Sequence, residues 1–213
     1  MNYTAVNAKV KALRGKLLTP EDYKYFCKNP RLLPPVQNDF AKILPYLHDK
    51  NIRDFVFKNR GLNLLDKSSQ ESLKRVFGTK SDLQNILWLY RLKKYYKIHG
   101  DTAFAYLSPE NYKITNPEMK FLAHIKDLQN FVQAVSATAH GKIFDNLSAF
   151  SRGEQVLTHA VRAQFKKEYF HENLAVVCGY LYAHRLENKN IRAISEGIKR
   201  GLMPDEIFLH LHL

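Results

Sequence analysis

The sequence predicts an all-α fold, and three observations carry that prediction. Apolar residues recur at three- and four-residue spacing nearly throughout, as they do on helices with one buried face. No pair of alternating β-branched runs flanks an Asn-Gly or Asp-Gly turn, so hairpins are not expected. The stretches between periodic segments are short, so the helices read as packed units of one body rather than beads on a linker.

Breaks are expected at residues 29–35, 61–63, 78–80, 108–117 and 139–153. Pro45 should kink or end the helix carrying Phe40 and Ile43, because proline has no N–H to donate to the helical ladder. The clearest single helix places Phe121, Leu122, Ile125, Leu128, Val132 and Val135 on one face. Asn116 is its expected N-cap, with Pro117 at the first helical position and Glu118 in the first turn. A second helix carries Leu157, Ala160, Val161 and Phe165, and a third Leu174, Val177, Cys178 and Leu181 towards Leu186.

The 213 residues suit one large domain or two small ones, and the short breaks favour a single domain, 1–213. Twelve Tyr and thirteen Phe argue against disorder. The most apolar stretch, residues 173–184, is far short of the roughly 20 residues of a spanning helix, and cations interrupt the N-terminus, so a soluble chain is expected. Cys27 and Cys178 read as buried thiols in a reducing compartment. The net charge of +13 favours an acidic partner without choosing among nucleic acid, an anionic surface and acidic protein.

Internal similarity is the most informative signal. Three places follow one plan: an Asn near the start of an amphipathic helix, then Gly, then a short second helix. The first runs from Asn7 through Gly15 to Pro20-Glu21-Asp22-Tyr23. The third runs from Asn190 through Gly197 and Gly201 to Pro204-Asp205-Glu206-Ile207. A looser middle copy runs from Asn85 to Tyr96, then Gly100 and a helix through Phe104 and Leu107. Glycine would supply a left-handed cap, and proline followed by acids would open the second helix. The repeats divide the chain into 1–29, 30–112 and 113–213, and such repeats tend to pack about a shared axis.

At these residues the chain resembles a known family, the C subunits of bacterial and archaeal V/A-type rotary ATPases, equivalent to the d subunits of the eukaryotic vacuolar enzyme. The resemblance rests on Tyr3-Thr4-Ala5-Val6-Asn7-Ala8-Lys9-Val10-Lys11-Ala12-Leu13 with Leu17-Leu18 and Asp22-Tyr23. It rests equally on Leu83-Gln84-Asn85-Ile86 running into Tyr90-Arg91-Leu92-Lys93, and on Glu187-Asn188-Lys189-Asn190-Ile191-Arg192-Ala193-Ile194. The resemblance implies a funnel of helices with pseudo-three-fold repeats, bound peripherally at the cytoplasmic face of a membrane. It further implies partners in the central-stalk subunits and the proteolipid rotor ring, with no small-molecule substrate, no cofactor and no nucleic acid. Segments between the motifs are shorter than in longer members, which implies a trimmed lobe or shorter helices throughout.

The residues themselves add little chemistry. No P-loop, H-E-x-x-H helix or Cys-x-x-Cys pair occurs, so an enzyme is not expected. Glu21-Asp22 and Asp205-Glu206 fall where helix capping explains them. His210 and His212, two apart, would leave a helix on different faces and form no metal pair. Residues 88–97 interleave aromatics with cations, a pattern that could stack bases and grip phosphates. Helical spacing instead predicts a buried helix there, with Arg91, Lys93, Lys94 and Lys97 at its margins. Arg91, Lys94, Asn190 and Arg192 are the candidate partner-interface or inter-lobe residues. The two arginines meet acidic partner residues or pair internally with Glu187, Glu196 or Asp82. A non-catalytic coupling subunit is the leading reading, and a basic helical nucleic-acid-binding protein is the alternative.

Overall fold

The structure, a computed structural model, describes residues 3–37, 40–58, 60–144 and 147–213, and these form helices and loops without a strand. The chain divides into two compact units, residues 1–70 with 165–213, and residues 71–164. The chain passes from one to the other inside helices α5 (Lys67–Arg91) and α10 (Gly153–Glu168).

In the first unit, α1 (Thr4–Arg14) buries Val6, Val10 and Leu13, a stripe at helical spacing, and carries Lys11 and Arg14 where the dipole favours cations. Helix α2 (Pro20–Lys28) starts at a capping box. The Thr19 hydroxyl accepts from the Asp22 N–H, and the Asp22 carboxylate accepts from the Thr19 N–H at 2.8 Å. Short helices α3 (Phe40–Ile43) and α4 (Lys50–Lys58) follow, and Pro45 ends the first of them in a 3-10 turn, as expected. The 26-residue α11 (Leu174–Lys199) spans about 39 Å at 1.5 Å per residue. It leads into α12 (Pro204–Leu209), whose Glu206 carboxylate accepts from the Met203 N–H at 2.9 Å. Helices α2, α11 and α12 share a core of Tyr23, Cys27, Ile194, Ile207 and Leu211. The first and third sequence repeats therefore pack on one another.

The second unit holds the rest of α5, then α6 (Gly100–Ala105), α7 (Asn116–His124), α8 (Leu128–Ser136), α9 (Leu147–Ser151) and most of α10. Leu83, Ile86, Leu87 and Tyr90 are buried along α5, as their spacing predicts. Tyr90 stacks on Phe150 at 4.5 Å between ring centroids, and Phe150 stacks on Phe144 at 4.8 Å and lies 5.9 Å from Phe131.

Several expectations are corrected. Asn85 and Asn190 lie well inside α5 and α11 rather than near a helix start. Residues 78–80 are no break: α5 runs through them, and Gly78 is there for space, since a Cβ would sit 2.5 Å from Tyr112 Cβ. Gly15 ends α1 in a right-handed conformation, so of the two close copies only the third repeat uses the left-handed glycine cap; Gly100 of the looser copy is left-handed too, but it opens α6 rather than capping the helix before it. The long helix expected over residues 116–135 is two, and Thr115, not Asn116, is the N-cap of the first. Asp127 caps the second by accepting the Asn130 N–H at 2.8 Å, and this cap lets the chain turn between them. Phe121, placed on the apolar face by spacing, is exposed.

Gly201 closes α11 in a Schellman motif. It has φ of +71°, its N–H donates to Ile198 O at 3.0 Å, and the Leu202 N–H donates to Gly197 O at 3.0 Å. Nothing lies within 4 Å of a Cβ built there, so only backbone strain opposes substitution. Gly201→Val is expected to lower stability by about 1–2 kcal/mol, read from urea denaturation midpoints. Gly201→Asn should lose less, because asparagine tolerates the left-handed region.

Candidate partner interface

Helix α5 does not simply stop at Arg91. It continues as a π-helical turn, Leu92–Tyr96, and ends at Lys97, which is left-handed at φ 57° and donates its N–H to Leu92 O. A π turn changes the angular spacing of side chains, so α-helical periodicity fails from Leu92 onward. The outcome overturns the expectation of a buried aromatic face. Leu92 is buried, but Trp88 is 50% exposed, Tyr95 64% and Tyr96 68%. Leu83, Ile86, Leu87, Leu89 and Tyr90 already fill the core side of this helix, which leaves the indole outside.

Lys93, expected at a margin, is buried. Its Nζ donates to Ala123 O at 2.7 Å and Ile125 O at 2.6 Å, and lies 5.4 Å from the Phe131 ring centroid. The cation thus satisfies carbonyls at the C-terminal end of α7, where the helix dipole is negative. Burial pushes its pKa down to about 8. No local signal placed it inside, because its acceptors belong to another helix and the π turn breaks the α-helical spacing at this point.

The four candidate residues fall in both units. Arg91 donates to Glu154 at 2.8 Å, a carboxylate outside the three expected from the sequence. Asp82 is engaged by His140 and Glu196 by Lys199. Lys94 is exposed; its Nζ donates to the Tyr90 hydroxyl at 3.1 Å and stands over the Tyr90 and Tyr95 rings at 5.4 and 5.2 Å. Arg192 is exposed on a cleft of about 330 Å3, shared with Leu33, Pro34, Pro35, Val36 and Ser195. Asn190 is buried and grips the backbone of His212 at both ends. Its Nδ2 donates to His212 O at 3.2 Å and its Oδ1 accepts the His212 N–H at 2.8 Å.

That two-bond grip recurs. Asn85 holds Ser108 identically, with both bonds at 3.0 Å, and Asn188 holds Gln37 at 2.9 and 3.1 Å. Glu187 accepts the Leu18 N–H at 2.9 Å. One turn of α11, Glu187 to Asn190, therefore ties down three separate chain segments. Asp82 does the same from α5: it accepts the Tyr112 N–H at 2.9 Å, the Lys113 N–H at 2.8 Å and the His140 Nε2–H at 2.9 Å. A carboxylate only accepts, so Nε2 of His140 carries the proton. Asn85, Glu187, Asn188 and Asn190 of the sequence motifs, and Asp82 beside them, are therefore backbone clamps, whereas Asn7 of the opening motif only donates to Asn173 O at 3.5 Å. Both thiols are buried, Cys178 pushed up to about 12 by that burial.

Comparison with known families agrees with these motifs. The family model described as ATP synthase (C/AC39) subunit matches residues 36–208. The chain belongs to the C/AC39 subunit family. The matched stretch contains the clamping residues Asp82, Asn85, Glu187, Asn188 and Asn190, and leaves the opening motif, residues 3–23, outside it. This C/AC39 protein is accordingly a subunit of a V/A-type ATPase complex. No curated protein and no solved structure matches the chain. Among the described residues, no helix is long and apolar enough to cross a membrane.

Proposed function

We propose that this C/AC39 protein is a non-catalytic coupler in a V/A-type rotary ATPase. It links the central stalk to the proteolipid ring while the machine moves protons or sodium. The observation that carries the reading is the family match over residues 36–208. The use of the polar residues supports it. Asp82, Glu187, Asn85 and Asn190 are spent on holding backbone, and Glu21-Asp22 and Asp205-Glu206 lie in first turns where Asp22 and Glu206 act as caps. A rigid, clamped scaffold suits a part that transmits force. In this reading the chain sits peripherally at the cytoplasmic face of the membrane. Arg91 and Lys94 in the one unit and Arg192 in the other face partner subunits, and Asn190 anchors the C-terminal backbone near Arg192 on the same helix.

Co-purification with the separately folded stalk subunits and with the proteolipid ring tests the proposal. Retention of both by the wild-type chain is the expected result. If neither is retained, the coupling role is wrong.

A further inference from the structure

The end of α5 presents more than the coupling role has used. Within ten residues it exposes one indole and two phenol rings, with the half-exposed Arg91 and the exposed Lys94 and Lys97 among them. Trp, Tyr and Arg are the residue types that dominate binding energy at protein interfaces, because they bury large area at little entropic cost. We propose that Trp88, Tyr95 and Tyr96, with Arg91, Lys94 and Lys97, form a docking face for an acidic segment of another ATPase subunit. This rests on the coupling role for the existence of such a partner, and adds which surface meets it and with what chemistry.

Charge complementarity selects the occupant. Arg91 already holds a carboxylate, that of Glu154 at 2.8 Å, so the face recognises carboxylates in its own structure. Three cations without a basic run supply few of the contacts a polyphosphate chain needs, whereas they suffice for one or two carboxylates. An acidic protein segment bearing one or two apolar side chains fits both parts of the face. Its carboxylates would meet Lys94 and Lys97, and its apolar groups would cover the rings.

The support beneath the face is rigid. Tyr90, buried under Lys94, stacks on Phe150, and Lys93 is fixed to two carbonyls. The rings are therefore presented on an ordered element.

The test uses the full chain in the assembled complex. A photo-crosslinking phenylalanine analogue at Tyr95 should join the chain to an acidic segment of another subunit, identified by mass spectrometry. The double variant Trp88→Ala/Tyr95→Ala should bind the complex lacking this subunit at least tenfold more weakly. Lys94→Glu should weaken it about tenfold and flatten its salt dependence. Phe170→Ala, at an exposed ring elsewhere in the chain, should change nothing. Melting temperatures of all variants should stay close to the wild-type value, since Trp88 is half exposed and the other side chains are exposed. Wild-type assembly with undiminished binding by both Trp88→Ala/Tyr95→Ala and Lys94→Glu overturns the docking face while leaving the coupling role standing. Crosslinks to lipid or nucleic acid alone also overturn it. If the wild-type chain fails to assemble, the coupling role itself falls.

Discussion

Asp82→Ala is expected to be among the most damaging single substitutions in this protein, lowering stability by about 3–5 kcal/mol. The carboxylate is fully buried and accepts from three backbone N–H groups, of Tyr112, Lys113 and more distantly Ile114, and from His140, itself buried. Removing it leaves those donors without an acceptor, and each one that stays buried costs about 1–3 kcal/mol. Asp82→Asn keeps the shape but turns one acceptor into a donor facing donors, so it too should be severe. Urea denaturation at neutral pH measures both. Wild-type stability within one kilocalorie of the alanine variant would show that the loop of Tyr112 and Lys113 is held by something else.

The same group predicts a pH dependence. Burial works against the Asp82 charge, but the hydrogen bonds from His140, Lys113 and Tyr112 outweigh it and hold the carboxyl below its ordinary range. A carboxyl with a depressed folded-state pKa contributes stability that is fully present above the unfolded value, near 4. That contribution is lost as the pH falls through the folded value. Denaturation midpoints between pH 7 and pH 3 should fall more steeply for the wild type than for Asp82→Asn.

Phe150→Ala is the second large effect. Its ring is buried and meets three others, stacking on Tyr90 and Phe144 and tilting against Phe131. Truncation should cost about 3–5 kcal/mol, because the fully buried Phe131 and Phe144 rings cannot collapse into the space without leaving their own sites. Phe150→Leu, which refills part of the volume, should recover a good share of it. Thermal unfolding followed by circular dichroism distinguishes the two. Tyr90 lies directly beneath Lys94, so the alanine variant should also weaken binding at the exposed face.

The helical class, most helix positions and the family were legible in the residues. The apolar stripes of α1, α5 and α11 follow from local spacing, and so do the proline-and-acid starts of α2 and α12. Capping needs only groups a few residues apart, so sequence carries it. The candidate site was less legible, and each miss has a long-range cause. Gly78 looked like a break because its real partner, Tyr112, is 34 residues away in the chain, and the pattern around a glycine cannot show what packs on it. Lys93 looked like a margin because its acceptors lie on the end of another helix.

Trp88, Tyr95 and Tyr96 looked buried because helical spacing ranks residues by face but does not say how much of a helix the core will cover. A π turn then shifts the faces from Leu92 onward. The sequence alone determined that this chain is built of helices and which family its motifs belong to. Only the tertiary structure decided that those polar groups clamp distant backbone and that the aromatic end of α5 stays outside. Local propensity acts over a turn or two, whereas burial is a property of what the rest of the chain brings to each face.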